Sequence, residues 1–562
     1  MLKRKLVIPA ILATIVAAPT YSSAATAEHS LPPAAGQTNS SHMSYSPGTH
    51  YEQSLKVLEL YKEPEMELVT PGLKKDKWMT TNPDMMRYLQ DIVDNNPTVS
   101  MEIAGHSLEG VVLPMLIFTT TSGKDSAEFN SKPTVWLQGH VHGNEPAGGE
   151  SMLVMANELA NGNLGKEVLD KINVVIYPRI NPDGAQYFQR QTALPLDANR
   201  DHVKLELPET QAVHKGMNQF QPEVVVDAHE YGLSDSTFKQ FGEQGSIKYH
   251  DILLLSGKNL NIPEQIRKQS DDLFGKNVFQ ALERTGYSSR EYFTNSSKDG
   301  HVTLDEGGAE ARIGRNANGL QPSFSFLVES RGIGIGKENF VRRVASQVET
   351  HSSILRTTAE NAESVKKMVQ DARDEIVEKG KTVSEKDTLI LRSDRTEVKN
   401  QTLEVVDVAT GTVKEIPVGY NSATNGIATL ERVRPTAYIL PPAYHHIADK
   451  LKIQGATVKK TKNAQELEVE SYIVTDKKVD TSYYEGHMRA NIEAQLSKKR
   501  VFFPAGSYVI SMAQPTANLV ALSLEPESVD SYVTFNFIPV NVKDEVPVYR
   551  YMKELELDLV LE

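Results

Sequence analysis

Cysteine is absent from all 562 residues. No disulfide and no thiolate metal site can form, so any bound metal must be held by imidazole and carboxylate. For the same reason no lipid anchor through cysteine is expected. Beyond residue 18 no apolar run is long enough to span a bilayer, so no stable membrane insertion is expected. The balance of 60 Lys and Arg against 73 Asp and Glu leaves a net charge of -13, which argues against nucleic acid as a partner. Internal repeats and low-complexity tracts are also missing.

What is present begins with Met1-Leu2-Lys3-Arg4-Lys5, a mostly apolar run over 6–18, and the small residues Ser22-Ser23-Ala24. That order predicts a secretory signal peptide over 1–24, and hence a periplasmic or secreted protein. Residues 25–50, rich in Ser, Pro, Gly and Thr, are expected to form a flexible lead-in. The remaining length suits two domains. Apolar strand-like runs at 111–118, 135–137, 173–177, 224–226 and 324–328 alternate with helical segments, which predicts an α/β fold with a sheet flanked by helices over 51–380. One long helical stretch, 337–378, would close this part at Gly380. Over 387–562 the runs 403–408, 412–418, 500–503, 507–512, 518–524 and 532–537 read as strands, with one helix near 444–451. A mostly β or α+β accessory domain is expected there.

Three short stretches carry the chemistry: His142-Gly143-Asn144-Glu145, Asp227-Ala228-His229, and the apolar run ending at Glu329. Two His and a Glu can hold a metal through three protein ligands and leave one position open, as catalytic zinc sites do, while a further Glu serves as base. His-x-x-Glu is a weak signal alone, since about one is expected by chance at this composition. The chain has two, the other being His106-Ser107-Leu108-Glu109. Context separates them. The strand Val135-Trp136-Leu137-Gln138 runs out into Gly139, and Pro146 sits where a helix can begin, so His142 and Glu145 fall on a strand-to-helix turn. His106 lies in a polar turn and reads as a surface residue. Asp227 and Glu230 read as supporting residues rather than ligands, and His445-His446 as a structural pair at a helix start.

Gly139-His140-Val141-His142-Gly143-Asn144-Glu145-Pro146-Ala147-Gly148 resembles the opening of the metal site in zinc carboxypeptidases of the carboxypeptidase A type. Pro178-Arg179-Ile180-Asn181-Pro182-Asp183-Gly184, then Arg190, then Asp197-Ala198-Asn199-Arg200-Asp201 resemble the next blocks in order, and Phe324-Ser325-Phe326-Leu327-Val328-Glu329 the strand of the catalytic glutamate. The resemblance spans about residues 70 to 370. It implies a mixed sheet flanked by helices, one zinc held by His142, Glu145 and His229, and Glu329 as general base and acid. It further implies Arg190 at the oxyanion, Asn199 and Arg200 at the substrate's terminal carboxylate, and Asp197 behind His142. Each role suits its residue type: a guanidinium matches a carboxylate, and a carboxylate fixes an imidazole tautomer.

The family often carries a mobile tyrosine shortly before its catalytic glutamate. Here no tyrosine lies between Tyr292 and Glu329. Either an upstream tyrosine folds back or another donor replaces it. The segment before Glu329 contains Arg312 and Arg315 among glycines, and the resemblance implies that the pocket for the departing side chain lies there. An arginine in it would favour acidic side chains; the alternative is that both pair with neighbouring carboxylates. The reading is a secreted zinc metallocarboxypeptidase acting on peptides. The same zinc chemistry could instead serve a deacylase or amidase on an amidated small molecule, or a hydrolase of peptidoglycan stem peptides. A non-catalytic peptide-binding module would lack a ligand or the base, and none is missing.

Overall fold

The computed structural model describes residues 51–65, 68–74 and 77–561; the expected signal peptide and lead-in lie outside the described residues. The chain builds an eight-stranded mixed sheet in the order Val99–His106, Val112–Phe118, Asn173–Tyr177, Thr134–Gly139, Val224–Gly232, Phe324–Ile333, Ile252–Ser256, Ser289–Glu291. Its four central strands run parallel, and antiparallel neighbours flank them. The central strands read as continuous apolar runs because both faces are covered. Alternation still shows in what each residue meets. Val135, Leu137, Val224 and Val226 join one core with the helices Pro146–Ala160 and Phe340–Glu360. Trp136 and Val225 join a second core with the helix Pro208–Phe220 on the opposite face.

The expected helix over 337–378 is two helices, Phe340–Glu360 and Ala362–Lys379. Asn361 between them leaves helical geometry, and its amide donates to Thr357 O (2.9 Å), a local bond that competes with the backbone ladder.

The C-terminal part is β-rich. The long hairpin of Thr388–Asp407 and Val413–Val433 forms a five-stranded sheet with Ser246–Lys248 on one edge and with His301–Glu306 and Phe293–Lys298 on the other. A seven-stranded sheet contains Gln465–Val479 and Ala490–Phe503. Two expected strands are corrected. Residues 518–524 lie in a helix, Ala517–Leu524, and 532–537 form turns. Every side chain of that helix is buried, and a short run buried all round has neither a strand's alternation nor a helix's stripe to mark it. The main core is continuous from the catalytic helices into Leu519, Tyr532 and Val546.

Candidate metal centre and active site

His142 and Glu145 sit on the turn between the strand Thr134–Gly139 and the helix Pro146–Ala160, whose N-cap is Glu145. The turn can form only with glycine at 143, where a Cβ would lie 1.9 Å from the Gly184 carbonyl carbon. His229 enters from the strand Val224–Gly232. All three are buried. Glu145 Oε1 lies 2.8 Å from His142 Nδ1, Glu145 Oε2 lies 2.9 Å from His229 Nδ1, and the two Nδ1 atoms are 3.0 Å apart.

The outer nitrogens decide what those inner atoms can do. His142 Nε2 bonds Asp197 Oδ1 at 2.9 Å, and His229 Nε2 lies 2.9 Å from Asp227 Oδ2 and 3.3 Å from the Asn199 amide nitrogen. With each Nε2 carrying its hydrogen, each neutral ring turns a lone pair on Nδ1 toward the other and toward a carboxylate. Lone pairs so placed repel unless a cation lies among them. Their spacing is close to the ~3.3 Å between two ligands about 2.0 Å from one tetrahedral centre. The donor set, two imidazoles and one carboxylate, therefore fits a metal such as zinc. Among the described residues this is the one such group. Without a cation the cluster recruits protons: although burial opposes it, Asp227 and Glu145 hold the His229 imidazole well above its usual range. Burial likewise opposes ionisation of Glu145, yet His142 and His229 hold its carboxyl below the usual range.

Glu329 is placed by the sheet. In the parallel pairing of Phe324–Ile333 with Val224–Gly232 it stands opposite His229, so both project from the same face. Burial first, and the Glu145 charge second, push its carboxyl up to about 7 in the metal-free chain. It faces a cavity of roughly 310 Å³ that His142, Arg190, Asn199, Arg200 and Arg315 also line. Arg190 donates to Asp197 Oδ2 (2.8 Å) and Glu145 Oε1 (3.2 Å). Asp197 caps the 3-10 turn Ala198–Arg200, its Oδ1 accepting from Asn199 N at 2.8 Å. Asn199 Oδ1 in turn accepts from Gly314 N (2.8 Å), and Arg200 donates to the Asn199 carbonyl (2.9 Å).

The two arginines of the glycine-rich segment part company. Arg312 pairs with Asp530 and with Glu310 (3.2 Å), donates to the Tyr484 hydroxyl (3.0 Å), and lies outside the cavity of Glu329. Arg315 is 4 % exposed and lines that cavity. It donates to Gly308 O (2.6 Å), while its Nε has no partner among the described residues. Burial lowers its guanidinium to about 10. Asp227 and Glu230 support the site: Asp227 holds His229, and Glu230 pairs with Arg343 (2.7 Å) and accepts from Ala147 N (2.9 Å). His106, His445 and His446 are exposed.

Lys248 and Tyr292 also line the cavity. Tyr292, anchored by its N–H to Leu254 O (2.9 Å), folds back to line the cavity. Burial and the Glu329 charge both hold its phenol protonated. Lys248 arrives on the strand Ser246–Lys248 with its ammonium 5.5 Å from the centres of the Tyr231 and Phe293 rings. No local pattern marks either residue, because sheet pairing carries both into place.

Two imidazoles and a carboxylate around one point, facing a buried carboxylate across a cationic cavity, define a metal-dependent hydrolase. A zinc carboxypeptidase family model matches residues 85–205. Carboxypeptidase 2 of Trichophyton equinum is 35 % identical over 447 residues, 79 % of this chain and 81 % of that protein. Carboxypeptidase 2 of Trichophyton rubrum is 33 % identical over 475 residues, 84 % and 86 % of the two chains. Among solved structures, the carboxypeptidase A from Helicoverpa armigera aligns with 53 % of this chain and 77 % of its own at a TM-score of 0.39 and 17 % identity. The chain belongs to the zinc carboxypeptidase family and is a metallocarboxypeptidase.

Proposed function

We propose that this carboxypeptidase is exported and removes C-terminal residues from peptides with a single zinc held by His142, Glu145 and His229. The observation that carries the reading is the meeting of His142 Nδ1, His229 Nδ1 and the Glu145 carboxylate, each within 3.0 Å of the next, with Asp197 and Asp227 beside the outer ring nitrogens. Zinc held there supplies Lewis acidity toward water and toward the scissile carbonyl. The remaining work falls to side chains. Glu329, buried and level with His229 in the sheet, takes a proton from the attacking water and returns it to the leaving amine. Arg190, held charged by Asp197 and Glu145, donates to the oxygen that gains charge. Arg200 and the Asn199 amide hold the terminal carboxylate, and the protonated Tyr292 offers a further donor.

Arg315 extends the proposal to specificity. A buried guanidinium that lines the cavity and, among the described residues, has no ion pair favours a departing residue with an acidic side chain. Arg312, paired with Asp530, takes no part in that preference. Among the described residues no helix is long and apolar enough to cross a membrane, and the expected leader over 1–24 supports export to a periplasm or the medium.

The test is a digest of a peptide library by protein stripped of metal and by protein reloaded with zinc. Sequential loss from the C-terminus, Glu-ending peptides first, only after reloading, is the expected result. Cleavage by the stripped protein, or internal cleavage, would overturn it.

A further inference from the structure

The segment 197–207 carries Asp197, Asn199 and Arg200 yet contains no regular element beyond the turn Ala198–Arg200. The C-terminal part of the chain holds it from outside. Glu485 Oε2 accepts from the Asp197 N–H at 2.8 Å, and the Glu485 carbonyl accepts from Lys204 at 3.4 Å. His487 Nε2 bonds Glu206 at 3.0 Å. From the helix His445–Ile453, Lys450 donates to the carbonyls of Lys204 and Leu205.

Glu485 sits at the tip of the hairpin joining Gln465–Val479 to Ala490–Phe503. Tyr484 and His487 exchange backbone bonds of 2.8 and 3.0 Å across it. The central residues Glu485 and Gly486 have φ of 50° and 80°. This is a two-residue turn with both centres left-handed, a turn whose first place favours Asn, Asp or Gly. Glutamate is a poor choice for the turn itself, and among the described residues its side chain makes no hydrogen bond within the hairpin. The compensating contact lies elsewhere, in the bond to Asp197. Strain kept for a distant contact is a mark of function. The tip is itself braced, since the Tyr484 hydroxyl accepts from Arg312, which is locked to Asp530.

We propose that Glu485 is a positioning residue of the active site. By fixing the Asp197 backbone it sets the carboxylate that orients His142 and Arg190, and it sets the turn that carries Asn199 and Arg200. The C-terminal hairpin is thereby a support behind the catalytic machinery. This inference rests on the roles proposed above for 197–200.

The experiment uses full-length protein with Glu485→Gly and Glu485→Gln. Glycine suits the left-handed turn, so the melting temperature of Glu485→Gly should stay level or rise while function falls. Zinc affinity, read by competition with a chelator, should weaken about tenfold. KM for free-acid peptides should rise more than kcat falls, and amide exchange over 195–201 should quicken. Glu485→Gln keeps an acceptor oxygen and should recover most of each loss. Glu485→Gly with unchanged zinc affinity, KM and exchange would overturn the proposal, as would losses that glutamine does not rescue. Zinc affinity and exchange need no turnover, so a wild type that cleaves no peptide would count against the proposed function and leave this inference readable.

Discussion

Replacing Asp197 by asparagine tests how the centre is assembled. Asp197 Oδ1 receives His142 Nε2 at 2.9 Å, and its Oδ2 receives Arg190 at 2.8 Å. Despite burial, the neighbouring His142, Arg190 and Arg200 hold its carboxyl well below the usual range, so it is ionised at working pH. An amide can still accept from His142 through one atom, but its NH2 then faces the Arg190 guanidinium, donor against donor. Losing a charge-assisted bond of this kind removes about 1.5–3 kcal/mol, and each 1.4 kcal/mol is about tenfold in affinity. Zinc binding should therefore weaken by roughly ten- to a hundredfold. Arg190, freed from its closest partner, should also stabilise the oxyanion less well, so kcat should fall even at saturating zinc. Asp227→Asn is the control: Asp227 pairs with His229 and, among the described residues, with no arginine, and should lower zinc affinity while leaving kcat at saturation near wild type. Affinity is read by chelator competition and kcat with zinc in excess. An Asp197→Asn protein with zinc affinity within twofold of wild type, or two variants that behave alike, would refute the reasoning.

Glu329→Gln should retain zinc and lose most turnover, because it removes the proton carrier without touching a ligand; wild-type rates would end its assignment as base. The wild type should show kcat/KM rising with pH as Glu329 deprotonates. A cation favours the charged form, so zinc should move that limb below the value of about 7 held in the metal-free chain, and a limb above 7 in the zinc protein would contradict this. Amidating a substrate's terminal carboxylate should cost on the order of 2 kcal/mol, about thirtyfold in kcat/KM, and Arg200→Ala should abolish the difference; equal wild-type rates on both substrates would favour an amidase. Arg315→Ala should reorder peptides ending in Glu, Leu and Lys, whereas Arg312→Ala should leave the order alone and lower the melting temperature, since it strands buried Asp530 at a cost of about 3–5 kcal/mol.

His142 and Glu145 could be read in the sequence because strand, glycine turn and helix start are consecutive, so the local pattern fixes where their side chains emerge. His229 and Glu329 were legible for a related reason: each follows an apolar run, and two parallel strands in register bring the ends of those runs level. Tyr292 and Lys248 were not legible. Their cavity positions depend on pairing with strands far along the chain, and such pairing leaves no local mark. Glu485 was hidden more deeply, because a glutamate in a hairpin turn looks like ordinary surface. The helix Ala517–Leu524 reads as a strand in the sequence because burial on all sides erases the period that tells the two apart.

The five-stranded sheet has a consequence for how the chain reaches its native state. Lys248 lines the cavity on a three-residue strand that pairs with 405–407, and His301–Glu306 pairs in parallel with 419–421. Until synthesis has passed residue 433, one flank of the active-site cavity is an unsatisfied strand edge. Such edges recruit strands from other chains. A fragment stopped at Gly380 should therefore aggregate rather than yield a small working enzyme, and the nascent chain is at its most adhesive between the completion of its catalytic residues and the arrival of the hairpin that covers them.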